Sequence, residues 1–150
     1  MKGDGMNYAP QGRPAPVVKP GEFVFAAMDL EHGHIYGMCN GLIEAGGTLK
    51  WVYDDDPAKV ERFMKTYPGV RPAPSAETIL QDPEVVLVAA AGVTCERGPL
   101  GVKVMRHGKD YFVDKAPFTT LEQLEEARRT CAETGRKYAV YYSERLHVEA

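Results

Sequence analysis

From Glu22 onward, short apolar runs of strand length alternate with segments whose apolar residues return at helical spacing. "EFVFAAM", residues 22–28, is the first run, and Ile35, Met38, Cys39 and Leu42 then fall on one helix face. "TLKWVYDDD" reads as a second strand. Asp56 followed by Pro57 opens a helix, a capping side chain before a residue with no N–H to lose, and Val60, Phe63, Met64 and Tyr67 continue it. "GVRPA" is a brief third strand, and Ser75 caps a short helix ending near Leu80. "EVVLVAAA" is apolar throughout, the pattern of a strand buried on both faces. A helix around residues 99–106 and the strand "KDYFVDK" follow. A Thr119–Glu122 capping box starts a helix lined by Leu121, Leu124, Arg128 and Cys131; Gly135 stops it before a last strand, "KYAVYYS".

This alternation, with short loops, predicts an α/β fold: a single-domain, Rossmann-type, doubly wound parallel sheet with helices on both faces. Residues 1–21 stand apart. Pro10, Pro14, Pro16 and Pro20 deny them regular structure, so they form an extended or disordered arm, and residues 22–150 form the domain.

The strand order expected of this fold is 3-2-1-4-5-6, with a ligand crevice outside the carboxyl ends of strands one and four. That rule gathers "DLEHGH", "AAAGVTCER" and "VDKAP" around one place, with Ala91 at the end of the fourth strand. A dinucleotide fold would carry G-x-G-x-x-G in the first of these loops. Here the register reads Asp29-Leu30-Glu31-His32-Gly33-His34, so Asp29, Glu31 and His34 replace all three glycines. The downstream acid is better placed: Asp54 lies twenty residues beyond His34, at the end of the second strand. An acid there accepts hydrogen bonds from ribose hydroxyls and repels a 2′-phosphate, although Asp55 and Asp56 compete for the role.

Carboxylates beside a pyrophosphate are costly. At 4 Å and an effective dielectric near 20, each like-charge contact costs about 4 kcal/mol before screening. Either Asp29 and Glu31 point away, or binding is weak, or one is protonated. A second use of the same loop is metal binding, since His32 and His34 with Glu31 and Asp29 have donor types suited to zinc or manganese. An isolated H-x-H is a poor indicator, and the expectation is no metal. Arg97 reads as a solvated side chain.

In "GKDYFVDKAP", followed by "FTTLEQLEEARRTCAETGRKYAVYYSER", the chain resembles the Gfo/Idh/MocA oxidoreductases, the glucose-fructose oxidoreductase and inositol dehydrogenase group. Asp114-Lys115 stands for the family's Glu-Lys, and Ala116 replaces its Pro. The resemblance covers about residues 22–147. It implies a nicotinamide-dinucleotide-binding domain and a separate C-terminal domain supplying most of the substrate pocket; Asp54, by repelling a 2′-phosphate, favours NAD over NADP. The chain ends about where the first of these domains does. It further implies that Lys115 lies beside nicotinamide and substrate as the catalytic lysine. Crevice position and resemblance together give the expected cofactor contacts as Asp29, Leu30, Glu31, His32, Gly33, His34, Asp54, Ala91, Asp114, Lys115 and Arg145, the last of which would orient cofactor or substrate or else form an interdomain ion pair. The substrate class would be a sugar, polyol or related hydroxy compound, turned over only when a second domain or chain completes the site. The competing reading is a non-catalytic binding or interaction domain whose cofactor site has degenerated.

Composition narrows the partners. The net charge of −3 gives no basic field for nucleic acid, and no apolar run reaches the roughly 18 residues of a membrane span. Cys39, Cys95 and Cys131 are too far apart and too few for a disulfide framework, which suggests buried thiols in the cytoplasm. Homo-oligomerisation stays open.

Overall fold

A computed structural model of the chain describes residues 15–143. Along the chain come β1 (Val24–Met28), α1 (His34–Glu44), β2 (Thr48–Tyr53), α2 (Pro57–Thr66), β3 (Arg71–Pro72) and α3 (Ala76–Gln81). Then follow β4 (Val85–Ala90), α4 (Thr94–Arg106), β5 (Asp110–Asp114), α5 (Leu121–Thr134) and β6 (Tyr138–Tyr141). The strands form one sheet in the order β3-β2-β1-β4-β5-β6, every neighbouring pair parallel. This is the doubly wound Rossmann arrangement. The chain winds outward from β1 to β3, crosses back through α3 to β4, and winds outward again. The reversal opens a crevice at the carboxyl ends of β1 and β4.

Alternation along each strand builds two cores. Phe25 and Ala27 face Ile35, Met38 and Cys39 of α1 and Phe63 of α2. Ala26 and Met28 face the opposite way, onto Ile79 and Leu80 of α3 and Val104 and Met105 of α4. Both faces of β1 are therefore dry, which is why its sequence is unbroken by polar residues. β4 is similar, apart from Val86, which is exposed near the strand's start. The described part of the proline-rich arm is anchored: Val17 N–H donates to Ala45 O at 2.9 Å, and Gly21 N–H to Thr48 Oγ1 at 3.2 Å.

Two expectations need correction. α4 begins at Thr94 rather than near Pro99, and Pro99 lies inside it. A proline there cannot donate to the carbonyl four residues back. That carbonyl, Cys95 O, is satisfied by Gln123 Nε2 of α5 at 2.8 Å. The second correction concerns α5, whose N-cap is Thr120 and not Thr119. Thr120 accepts from Gln123 N–H while the Gln123 amide oxygen accepts from Thr119 N–H, so Gln123, not Glu122, closes the box. Leu121 is 76% exposed, and the buried positions of α5 are Ala127 and Thr130.

Candidate functional site

The loop from β1 to α1 is stitched into the crevice by its backbone. Asp29 adopts φ 52°, a left-handed conformation that aspartate tolerates better than most residues. Asp29 O accepts from Ala91 N–H at 3.0 Å, and His32 N–H donates to Ala91 O at 2.9 Å. These bonds tie the loop to the end of β4. On the other side, Leu30 N–H donates to Asp54 Oδ2 at 2.7 Å, fastening the loop to the end of β2.

The three aspartates after β2 are thereby told apart. Asp54 holds the loop with one oxygen and accepts from Asp56 N–H with the other. Asp56 caps α2 through Ala58 N–H. Asp55 is exposed and accepts from the Tyr53 hydroxyl.

The acids standing at glycine positions are also accounted for. The Glu31 carboxylate pairs with the Lys59 ammonium. The Asp29 side chain lies against Gly92, where a Cβ would come within 2.8 Å of Asp29 Cβ. Burial, reinforced by Asp54, Glu96 and Asp55, pushes the Asp29 carboxyl up to about 6. Glu31 is thus turned towards a cation, while burial and neighbouring acids disfavour the ionised form of Asp29.

The start of α1 has the opposite character. Its N-cap, Gly33, makes no side-chain cap, the first turn carries no acid, and a Cβ on Gly33 would meet nothing within 4 Å. His34 N–H donates to His32 Nδ1 at 3.3 Å, but no acid occupies the first turn, and a helix N-terminus with open space beside it suits an anion such as a pyrophosphate. The residues present therefore fit a dinucleotide, despite the missing glycines.

Behind this helix end lies a polar cluster built on Asp114, which is only 1% exposed. Asp114 Oδ2 lies 3.1 Å from His32 Nδ1, and Asp114 Oδ1 lies 2.9 Å from His34 Nδ1. Lys115 N–H also donates to Oδ1, at 2.8 Å. Asp114 is thus the hub of the crevice floor, and the half-buried Lys115 follows it at the carboxyl end of β5, where the Lys115–Ala116 peptide is cis.

Arg97 is the residue that sequence reasoning misplaced. It is buried, not solvated. Its Nε donates to Gly92 O at 2.8 Å, one terminal nitrogen to the Lys115 and Ala116 carbonyls, and the other lies 3.4 Å from Asp114 Oδ2. One guanidinium therefore locks the β4–α4 loop to the segment carrying Lys115. The available signal was an arginine six residues beyond Ala91, on a helix whose true start Pro99 concealed. Lys59, the counter-charge of Glu31, was missed as well, because nothing local links residues 28 apart.

Arg145 lies outside the described residues. Among the thiols, Cys39 is buried, and burial pushes it up to about 12; Cys95, however, is exposed, contrary to expectation. No helix among the described residues is long and apolar enough to cross a membrane.

Comparison with known proteins fits this geometry. Residues 28–142 match the model of the Gfo/Idh/MocA oxidoreductase family, NAD-binding Rossmann fold. A candidate oxidoreductase from Erwinia carotovora atroseptica SCRI1043 is 44% identical, over 82% of this chain and 37% of that one, with a TM-score of 0.80. A candidate NADPH-dependent oxidoreductase from Desulfitobacterium hafniense DCB-2 shares the fold at 22% identity, 85% and 36% coverage and a TM-score of 0.74. The WlbA dehydrogenase from Bordetella pertussis, solved with NADH and UDP-GlcNAcA, does so at 16% identity, 82% and 37% coverage and a TM-score of 0.72. Comparison with curated proteins gives no match. The chain spans little more than a third of the length of the solved structures it resembles. By its family match and its topology alike, this chain belongs to the Gfo/Idh/MocA oxidoreductase family, as an NAD-binding Rossmann domain.

Proposed function

We propose that the chain is the cofactor-binding part of an NAD-dependent oxidoreductase acting on a sugar, polyol or related hydroxy compound. The observation that carries this reading is the acid-free N-terminus of α1, open beside Gly33 at the reversal point of the sheet. The backbone N–H groups of Glu31 and Gly33 would face the pyrophosphate there, since those of Leu30, His32 and His34 are spent on Asp54, Ala91 and the His32 ring, and the two histidines lie alongside. Asp54 would take the ribose hydroxyls with the lone pairs left by its two backbone bonds, and its charge would reject a 2′-phosphate. Ala91 and Gly92 would wall the side of the crevice next to β4. The bound nicotinamide supplies or accepts a hydride.

Lys115 would act on the substrate. An ammonium at the end of β5 can hold the reacting oxygen and take up or give a proton as that oxygen changes between hydroxyl and carbonyl. Arg97 is a positioning residue, since it fixes the Lys115 and Ala116 carbonyls without needing to touch substrate. Substrate contacts would come from a further domain or another chain.

Titration with NADH and NADPH, followed by nicotinamide fluorescence, tests the reading. NADH is expected to bind more tightly, and Asp54→Ala to narrow the gap. Equal affinity of the unaltered chain for both cofactors removes Asp54 from the role. Binding of neither would favour an interaction domain with a degenerate site.

A further inference from the structure

We propose that His32, His34 and Asp114 form a binding site for a divalent transition-metal ion of the zinc type. One ligand atom from each of the three lies within 4.8 Å of the others. They come from three places in the chain: the β1–α1 loop, the first residue of α1, and the last residue of β5. The sequence pattern suggested His32 and His34 with Glu31 and Asp29, but the fold sends Glu31 to Lys59 and Asp29 to Gly92. It supplies a third donor from 80 residues away instead.

Three features suit the cluster to an ion. First, both imidazoles present the same atom, Nδ1, to opposite oxygens of one carboxylate, at 3.1 and 2.9 Å, and His32 Nδ1 also accepts a long bond from His34 N–H at 3.3 Å, which an ion would displace. A tetrahedral ion with bonds of about 2.0–2.1 Å separates neighbouring donors by roughly 3.3 Å, so seating it requires side-chain adjustments of up to about 1.5 Å from a set whose members lie within 4.8 Å of one another. Second, the carboxylate is gripped from behind. Lys115 N–H holds Oδ1 at 2.8 Å and Arg97 lies 3.4 Å from Oδ2, the kind of outer support that fixes a metal ligand in place. Third, exposure rises from 1% at Asp114 to 31% at His34 and 52% at His32. The site therefore has a closed floor and an open mouth. Two nitrogens and one oxygen suit zinc and its neighbours rather than magnesium or calcium. Three protein ligands leave a fourth position for water or for an oxygen donor of a bound molecule. The Arg97 cation opposes a second positive charge nearby, which keeps the affinity below that of an all-thiolate site.

This inference does not rest on the dinucleotide reading, and its test uses no nucleotide. The full chain, free of any affinity tag and stripped with chelator, is titrated with Zn²⁺ by calorimetry and with Co²⁺ by visible absorption. One equivalent of Zn²⁺ is expected, with Co²⁺ giving the intense bands of a four-coordinate N/O site. His32→Ala and His32→Gln change an exposed side chain and should fold normally. Each is expected to bind at least about tenfold more weakly, as losing a ligand should cost no less than losing its outer support. His107→Gln, a change far from the cluster, is expected to bind as the unaltered chain does. Sub-stoichiometric uptake by the unaltered chain, or unchanged affinity in both His32 variants, overturns the proposal.

Discussion

Asp29 concentrates the strain of this site in one side chain. Its backbone is left-handed, its carboxyl is buried against Gly92, and that burial together with Asp54 and other nearby acids raises it from 3.8 to about 6. The native state therefore binds this proton more tightly than the unfolded chain does. The resulting destabilisation is fully present above pH 6, and is relieved as the pH falls from 6 towards 3.8. A tenfold change in proton affinity is worth about 1.4 kcal/mol, so the rise from 3.8 to about 6 amounts to roughly 3 kcal/mol at neutral pH. Asn keeps the shape, accepts the left-handed backbone and carries no charge. Asp29→Asn should gain about 2 kcal/mol at pH 8, measured by urea unfolding, and little at pH 4. A gain that does not depend on pH would show that charge is not the cause. Asp29 was visible in the sequence as an acid in the wrong place. Its burial was not, because Gly92 and Glu96 come from the segment after β4, more than sixty residues further along the chain.

At the scale of elements, α4 shows how a helix can defeat local reading. Pro99 and two glycines, Gly98 and Gly101, argue against a helix through residues 94–106. Packing against neighbouring elements overrides those weak local propensities. Gln123 takes the carbonyl that Pro99 leaves without a donor, and Gly101 lets the helix settle onto β5 and β6. A Cβ at Gly101 would lie 2.6 Å from Tyr111 Cδ1 and would press on the Tyr138 ring as well. Tyr111 is fully buried and has no room to move. Gly101→Ala, which raises intrinsic helix propensity, should nonetheless lose about 1–3 kcal/mol through overpacking. Thermal and urea unfolding would check the sign. A stabilised variant would mean that α4 can shift away from the sheet. By contrast, α1, α2 and β4 were readable directly, since their period, caps or unbroken apolar run agree with their burial.

For the molecule as a whole, binding and chemistry are expected to separate. The chain covers 37% of the Erwinia protein it resembles at 44% identity, and on the proposed reading substrate contacts come from elsewhere. Placing substrate against cofactor and Lys115 can supply roughly 7–11 kcal/mol of a barrier. The purified chain should therefore bind NADH yet show no measurable reduction or oxidation of sugars or polyols. Turnover that disappears in Lys115→Ala would show that these residues complete a substrate site on their own. What the sequence by itself determined was the fold: alternating periods of about two and 3.6, punctuated by caps and glycines, admit few arrangements other than a doubly wound parallel sheet. It also marked where a crevice must open, because strand order dictates it. Only the tertiary structure decided what each crevice residue does. Asp54 became a clamp on the loop, Arg97 a buried tie, and Asp114 the shared partner of two histidines. Those roles depend on contacts between residues up to 80 positions apart, and the period of a helix or strand carries no information over that distance.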